Sequence, residues 1–336
     1  MKIRSFLLLI LTGSFFGLHA QDIHYSQFIS APYNLNPALT GAFVGDARFT
    51  ANQRTQWRSV TTPYQTFGGF VDMRNVAFKN FHPGISVYND KAGDSQFGTF
   101  QLNISGAYSK KLGNYNRHRL TLGIQTGITQ RKLDYNNLSF DNQYNGSSYD
   151  SDLSSGENFS RQSYMYFNLN SGIVYNYRIN KKVEFNTGLA IFNINKPDQS
   201  LYDKEKIKLD RRYTLFLSAD VVIASNRVNV LPSLLIMTQG TFREYLAGSS
   251  VKFTLQNNSG KYSALHFGSW LRMKDSGFIL LGMDYDNVYV GLSYDFNYSN
   301  LVPASNYRGG FEVSVIYILR KFVPGKIKYK YCPGFI

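Results

Sequence analysis

The residues best suited to chemistry lie near the start of the chain. His24-Tyr25-Ser26, with Asn36 downstream, supplies a base, a nucleophile and an orienting amide in an order used for lipid hydrolysis inside membranes. A serine attacks only when its base is held rigidly within hydrogen-bond reach. Pro32 and Pro37 break this stretch, so it cannot form the continuous strand face such a site needs. We read it as a decoy and expect no catalytic residue. Four histidines lie beyond His19: His24, His82, His118 and His266. They are dispersed without metal-ligand spacing, so neither a metal nor a cofactor is expected. Gly68-Gly69 lacks the strand–helix setting and the following GK[ST] of a phosphate loop, and is read as close packing or a bulge. Cys332 is the single cysteine and cannot form an internal disulfide. What remains is a set of charges on apparent strands: Arg54, Asp72, Arg131, Asp220, Arg243, Glu244 and Asp284. On the inner face of a barrel they would either select a solute or pair with one another in a filled lumen.

The elements that carry these charges follow one pattern. In Val288 to Tyr298, the side chains of Val288, Val290, Leu292, Tyr294, Phe296 and Tyr298 share one face, and Tyr289, Gly291, Ser293, Asp295 and Asn297 share the other. Period two with one apolar face is the signature of a strand. About fourteen such segments run from residue 48 to residue 320, and no composition shift marks a domain boundary among them. In the fifth, Leu120, Leu122, Ile124, Thr126 and Ile128 oppose Thr121, Gly123, Gln125, Gly127, Thr129 and Arg131. The expected fold is an all-β, transmembrane, antiparallel up-and-down barrel. A sheet that crosses lipid cannot leave unpaired backbone groups at an edge, so its ends must meet.

The connections point the same way. If the chain enters the barrel from the periplasm, the odd-numbered links lie outside the cell and should be longer. The fifth link (133–162), the seventh (194–210) and the thirteenth (299–308) are long and polar. Even links such as Asn180-Lys181 and Asp286-Asn287 are short and built of turn residues. The second link, 73–83, is the exception and is expected to hold a short periplasmic helix.

Composition agrees. The 336 residues are 16% aromatic, with 25 Tyr and 26 Phe but 2 Trp, and only 17% charged. That balance suits β-structure between two media better than a soluble α/β enzyme. Residues 1–20 carry Lys2 and Arg4 ahead of an apolar core and end at Ala20, which reads as a secretory signal peptide. Gln21, not Cys, follows, so a lipoprotein anchor is not expected. Beyond this segment there is no run of 18 apolar residues. The net charge is +14, or +12 without Lys2 and Arg4, but the basic residues are scattered rather than gathered into a stripe. A nucleic-acid partner is not expected. Residues 21–47 form an irregular lead-in, with a helical turn expected near Asn36-Pro37-Ala38. We expect it to fold into or under the lumen as a plug. Residues 321–336 form a basic tail, expected on the periplasmic side.

Several short motifs in order resemble the PorP/SprF family of outer-membrane proteins of the type IX secretion system in Bacteroidota. They are Gln21-Asp22, then Ser26-Gln27-Phe28, then Asn36-Pro37-Ala38 with Gly41, then Arg54, Gln56 and Trp57 in the first strand. Cys332, Pro333 and Phe335 are similar to the family's Cys-Pro ending. Leu35 directly before Asn36, and Ile336 after Phe335, depart from the pattern. The resemblance implies a non-catalytic accessory role in export or surface attachment of proteins with type IX C-terminal signals, as in gliding motility. It also implies particular partners: the periplasmic motor ring through a peptidoglycan-binding lipoprotein, or a secreted adhesin. Outer-membrane lipid would surround the barrel, with both termini periplasmic. The alternative expectation is a transport channel for small or hydrophobic solutes.

Overall fold

Alternation along every strand becomes, in three dimensions, a wall with a greasy outside. The computed structural model describes residues 22–320, apart from 59–61, 94–96, 114–116, 136–137, 157–160, 202–205, 225–226, 259–260 and 300–301. The strands are β1 (Ala47–Gln56), β2 (Tyr64–Met73), β3 (Phe81–Ala92), β4 (Phe97–Leu112), β5 (His118–Lys132), β6 (Ser163–Arg178) and β7 (Val183–Phe192). They continue as β8 (Arg212–Ala224), β9 (Val228–Gln239), β10 (Phe242–Asn258), β11 (Lys261–Arg272), β12 (Ser276–Tyr285), β13 (Val288–Asn297) and β14 (Arg308–Leu319). Each pairs antiparallel with its sequence neighbours, and β1 closes on β14 from Ala47↔Leu319 to Thr55↔Phe311. The fold is therefore a closed fourteen-stranded barrel, as the alternation predicts.

Outward positions hold exposed apolar side chains around the wall, among them Ile85, Ile104, Leu122, Ile124, Phe167, Leu189 and Leu281. A continuous exposed apolar band of this kind is unfavourable in water and favourable against lipid. Among the described residues, no helix is long and apolar enough to cross a membrane.

The inside is less uniformly polar than alternation suggests. Phe216, Leu235, Leu246, Trp270, Phe278 and Leu280 form an apolar inner wall on β8 to β12, packed with Phe28, Leu35 and Ala38 of the lead-in. The remaining lumen is lined by amides, hydroxyls and paired charges, including Asn52, Asn103, Gln125, Asn170 and Ser314.

Three local expectations are corrected. Residues 74–80 contain no helix, because Asn75, Ala77 and Asn80 adopt positive φ and the α-ladder cannot propagate through them. β3 also starts earlier than Pro83 suggests. Phe81, His82 and Pro83 pair with β4, whereas pairing to β2 begins only at Gly84, so Pro83 has no neighbour on the β2 side to leave unbonded. Nor are all odd links long: 240–241 and 273–275 are tight turns, with positive φ at Gly240 and Lys274.

Candidate functional site

The chain from Asp22 to Asp46 runs through the lumen, and its own backbone chemistry shapes it. Phe28–Ser30 is a 3-10 turn and Pro32–Leu35 a single helical turn, with proline at the first-turn position where its missing N–H costs nothing. Asn36 is extended, as a residue before proline should be, and its Oδ1 accepts from Ala38 N at 2.8 Å to cap the 3-10 turn Pro37–Leu39. The helical turn expected near Asn36-Pro37-Ala38 is therefore present. Gly41 ends the run at φ +75, and a Cβ there would also lie 2.4 Å from His82 Cγ.

Each part of this segment is bonded to a different arc of the wall. The Asn36 amide donates to the carbonyls of Ile173 (3.2 Å) and Leu189 (3.0 Å), reaching β6 and β7. It fits because Gly172 and Gly188 leave the wall bare there; a Cβ at Gly172 would lie 2.0 Å from Asn36 Oδ1. Gly123 on β5 is likewise pressed against the Pro37–Ala38 peptide. Lower down, Gly41 N donates to Asp72 Oδ2 at 2.6 Å, and Arg48 bridges Asp72 and the Leu39 carbonyl. Tyr33 packs with Phe70 and Tyr88 over Gly68, where a Cβ would sit 2.0 Å from the Tyr33 hydroxyl. Of the Gly68-Gly69 pair, Gly68 marks close packing, while Gly69 has only ordinary contacts.

The most polar arc joins Ser26 and Gln27 to β1, β11, β13 and β14. Glu312 accepts from Ser26 N (2.8 Å) and Gln27 N (3.1 Å), and lies 3.5 Å from Arg54 Nη1. Arg54 Nη2 also pairs with Asp295 Oδ2 at 2.8 Å, and Ser26 Oγ donates to the same oxygen at 2.8 Å. Arg272 holds Glu244 at 3.1 Å and donates to Ser26 Oγ at 3.1 Å. Arg54, Glu312, Glu244, Asp295 and Arg272 are all buried. Two guanidinium groups face three carboxylates out of water, and lead-in N–H groups are the further donors to the excess carboxylate.

Above this network lies a cavity of about 850 Å³. Its floor includes Asp22, Ile23, His24 and Asn34, and its wall uses strand ends next to odd-numbered links, such as Phe97, Arg131, Tyr166 and Arg212. Asp22 sits at that level, with Asn193 Nδ2 donating to its Oδ2 at 2.9 Å and Arg212 Nε 4.0 Å away. The lead-in therefore descends from the odd-link end to β1 at the even-link end. Among the described residues no group of His, Cys, Asp and Glu could hold a metal ion.

Residues 18–317 match the sequence profile of the family described as type IX secretion system membrane protein PorP/SprF. The chain belongs to the PorP/SprF family. No curated protein matches it. Solved structures that it resembles include the CymD monoaromatic hydrocarbon channel, at 10% identity and TM-score 0.48 over 87% of this chain and 93% of that one. The P. putida toluene transporter TodX has 9% identity and TM-score 0.45 over 84% and 92%. The KdgM porin has 8% and 0.39 over 81% and 99%. A closed barrel from a type IX secretion family is an outer-membrane protein.

In this PorP/SprF barrel the motif positions converge on the lead-in and its receptor surface. Asp22, Ser26, Gln27, Asn36, Gly41 and Arg54 make the bonds given above, while Phe28 and Ala38 belong to the apolar inner cluster and Pro37 opens the 3-10 turn. Gln56, with its amide oxygen turned to Arg54, accepts from Nη2 at 2.6 Å and Nε at 3.2 Å. Trp57 lies just past the end of β1 at φ +64 and stacks on Tyr64. Gln21, Cys332, Pro333 and Phe335 lie outside the described residues, as do the leader and the tail.

The lysis-like trio is not assembled as a dyad would require. Ser26 Oγ is held by Asp295 and Arg272, and Asn36 is spent on β6 and β7. Burial, then the charges of Arg54, Arg272 and Arg212, holds the His24 imidazole well below its usual range, so it is neutral at pH 7. Of the inward charges expected from sequence, Arg54, Asp72, Glu244 and Asp284 are paired, the last with His266 at 2.7 Å, and Asp220 accepts from Asn229. Arg243 is a correction: alternation with buried Glu244 turns it to the outward side, and it is exposed. Sequence reading missed Arg48, Arg212, Arg272, Asp295 and Glu312, which hold the lead-in but match no short motif. Arg212 donates to the Asn34 carbonyl at 3.1 Å and Oδ1 at 3.0 Å. The available signal was a buried-type charge in each of several strands whose other inward residues are small or apolar.

Proposed function

We propose that this PorP/SprF barrel is a non-catalytic, plugged docking body of the type IX secretion system. It supports export or surface attachment of proteins carrying type IX C-terminal signals, docks the periplasmic motor complex, or does both. The observation that carries the reading is the lead-in: residues 22–46 run through the lumen and are bonded to buried side chains on most sides. A barrel filled this way presents fixed surfaces at its two ends rather than a continuous path. Among the described motif residues, Ser26 and Asn36 spend their side chains on that seat and are not arranged as a nucleophile and its base. On this reading the even-link end, where β1 begins and β14 ends, faces the periplasm. The partner is either the motor ring, met there through a peptidoglycan-binding lipoprotein, or a secreted adhesin, met at the odd-link end.

Deleting the gene should abolish surface display of at least one type IX client and leave that client in the periplasm. Immunoblots of surface and periplasmic fractions check this; unchanged display of all clients would contradict it. A solute channel is the second reading, favoured by the cavity of about 850 Å³. The residues lining that cavity, however, lie toward the odd-link end, with Asp22, Ile23 and His24 of the lead-in among them.

A further inference from the structure

Five arginines among the described residues are buried: Arg48, Arg54, Arg131, Arg212 and Arg272. Four have a carboxylate within 4.0 Å: Arg48 has Asp72, Arg54 has Asp295, Arg212 has Asp22 and Arg272 has Glu244. Arg131 is the exception. It points inward from the end of β5, is 9% exposed, and among the described residues forms no ion pair. Its guanidinium lies 5.6 Å from the Phe97 ring and 6.0 Å from the Tyr166 ring. Its Nε–H is buried without a hydrogen-bond partner. Phe97, Tyr166 and Arg131 all line the cavity above the lead-in.

The strand register explains why no carboxylate of the barrel reaches it. Arg131 stands opposite Thr99 on β4, and Thr99 opposite Asp90 on β3. Two strand spacings separate the charges by about 10 Å. Asp90 is moreover engaged by the Thr66 hydroxyl at 2.5 Å. A buried guanidinium without a counter-charge is costly, and every other one in this lumen has been neutralised. The rings beside Arg131 hold its plane, and a guanidinium that no carboxylate matches is a group that binds oxyanions.

We propose that this cavity is a binding site for a small organic oxyanion, a carboxylate or a phosphate monoester, whose charged end pairs with the Arg131 guanidinium. The apolar body of the ligand is taken up by the cavity, whose wall also carries the rings of Tyr64 and Tyr88. The cavity also borders the Arg212–Asp22 and Arg272–Glu244 pairs, whose charges are already matched, and the site does not depend on the role in secretion.

The test is calorimetric titration of the purified full-length protein in detergent with benzoate, phenyl phosphate and neutral benzyl alcohol. Wild type should bind at least one oxyanion and bind benzyl alcohol at least tenfold more weakly. Preference between the two oxyanions identifies the headgroup. Arg131→Gln should weaken oxyanion binding tenfold or more, and Arg131→Lys should weaken it less for phenyl phosphate than for benzoate. Because no carboxylate is left unpaired, Arg131→Gln should melt no lower than wild type without ligand. If Arg131→Gln fails to fold, the requirement for an uncompensated guanidinium is overturned. Failure of wild type to bind either oxyanion, equal binding of benzyl alcohol, or undiminished oxyanion binding in Arg131→Gln would each overturn the site.

Discussion

Arg54→Gln is expected to destabilise the barrel by about 3–5 kcal/mol, the usual cost of removing one member of a buried charge network. Arg54 is 1% exposed and serves two carboxylates at once, Asp295 at 2.8 Å and Glu312 at 3.5 Å. It also donates to the His24 carbonyl at 3.3 Å, so its loss frees the lead-in, strands Glu312 and leaves Asp295 with Arg272 alone at 3.8 Å. The control is Arg178→Gln. Arg178 pairs with Glu184 at 2.6 Å, but its side chain is 62% exposed, and such surface pairs contribute about 0–1 kcal/mol. Denaturant unfolding of both variants in detergent micelles gives the comparison. Equal midpoints would mean that the Arg54 network does not hold the lumen together.

Gly123→Ala should expel the lead-in. A Cβ at this position would lie 2.3 Å from Ala38 N, 2.4 Å from Pro37 C and 2.5 Å from Ala38 Cα. These are backbone atoms, so no rotamer change relieves the overlap. Overpacking typically costs about 1–3 kcal/mol. Here the displaced turn also takes Asn36 away from the carbonyls of β6 and β7. Limited proteolysis should cut within residues 22–46 of the variant at least tenfold faster than in wild type. Gly69→Ala is the matched control, since its nearest new contact is Val87 Cγ1 at an ordinary 3.5 Å. Equal protection of the lead-in in Gly123→Ala and Gly69→Ala would refute the tight seat.

Much of the fold was legible because lipid imposes one rule on every strand. Val290, Leu292 and Phe296 face out while Gly291, Ser293 and Asp295 face in, as period two requires. Where both faces must be dry, the rule fails. Phe216 and Leu235 point inward because the lead-in, not water, fills that side of the lumen. Near-continuous apolar runs in β9 and β12 carry that signal, since a strand buried on both faces loses alternation. Arg243 and Glu244 cannot share the inner face, because adjacent residues on a strand face opposite ways. The seat of the lead-in was the least legible part. Ser26 meets Glu312 across 286 positions, and Asn36 meets Leu189 across 153. No local pattern encodes such pairings; they follow from closure, which brings β14 beside β1 and lets one segment touch opposite walls.

The central claim is that an apolar-walled barrel is sealed by its own N-terminal segment. Single-channel recording of the purified wild-type protein in planar lipid bilayers tests it most directly. The account predicts stable insertion with no unitary current above baseline across ±100 mV. Steady, reproducible open-channel steps from wild type would contradict it.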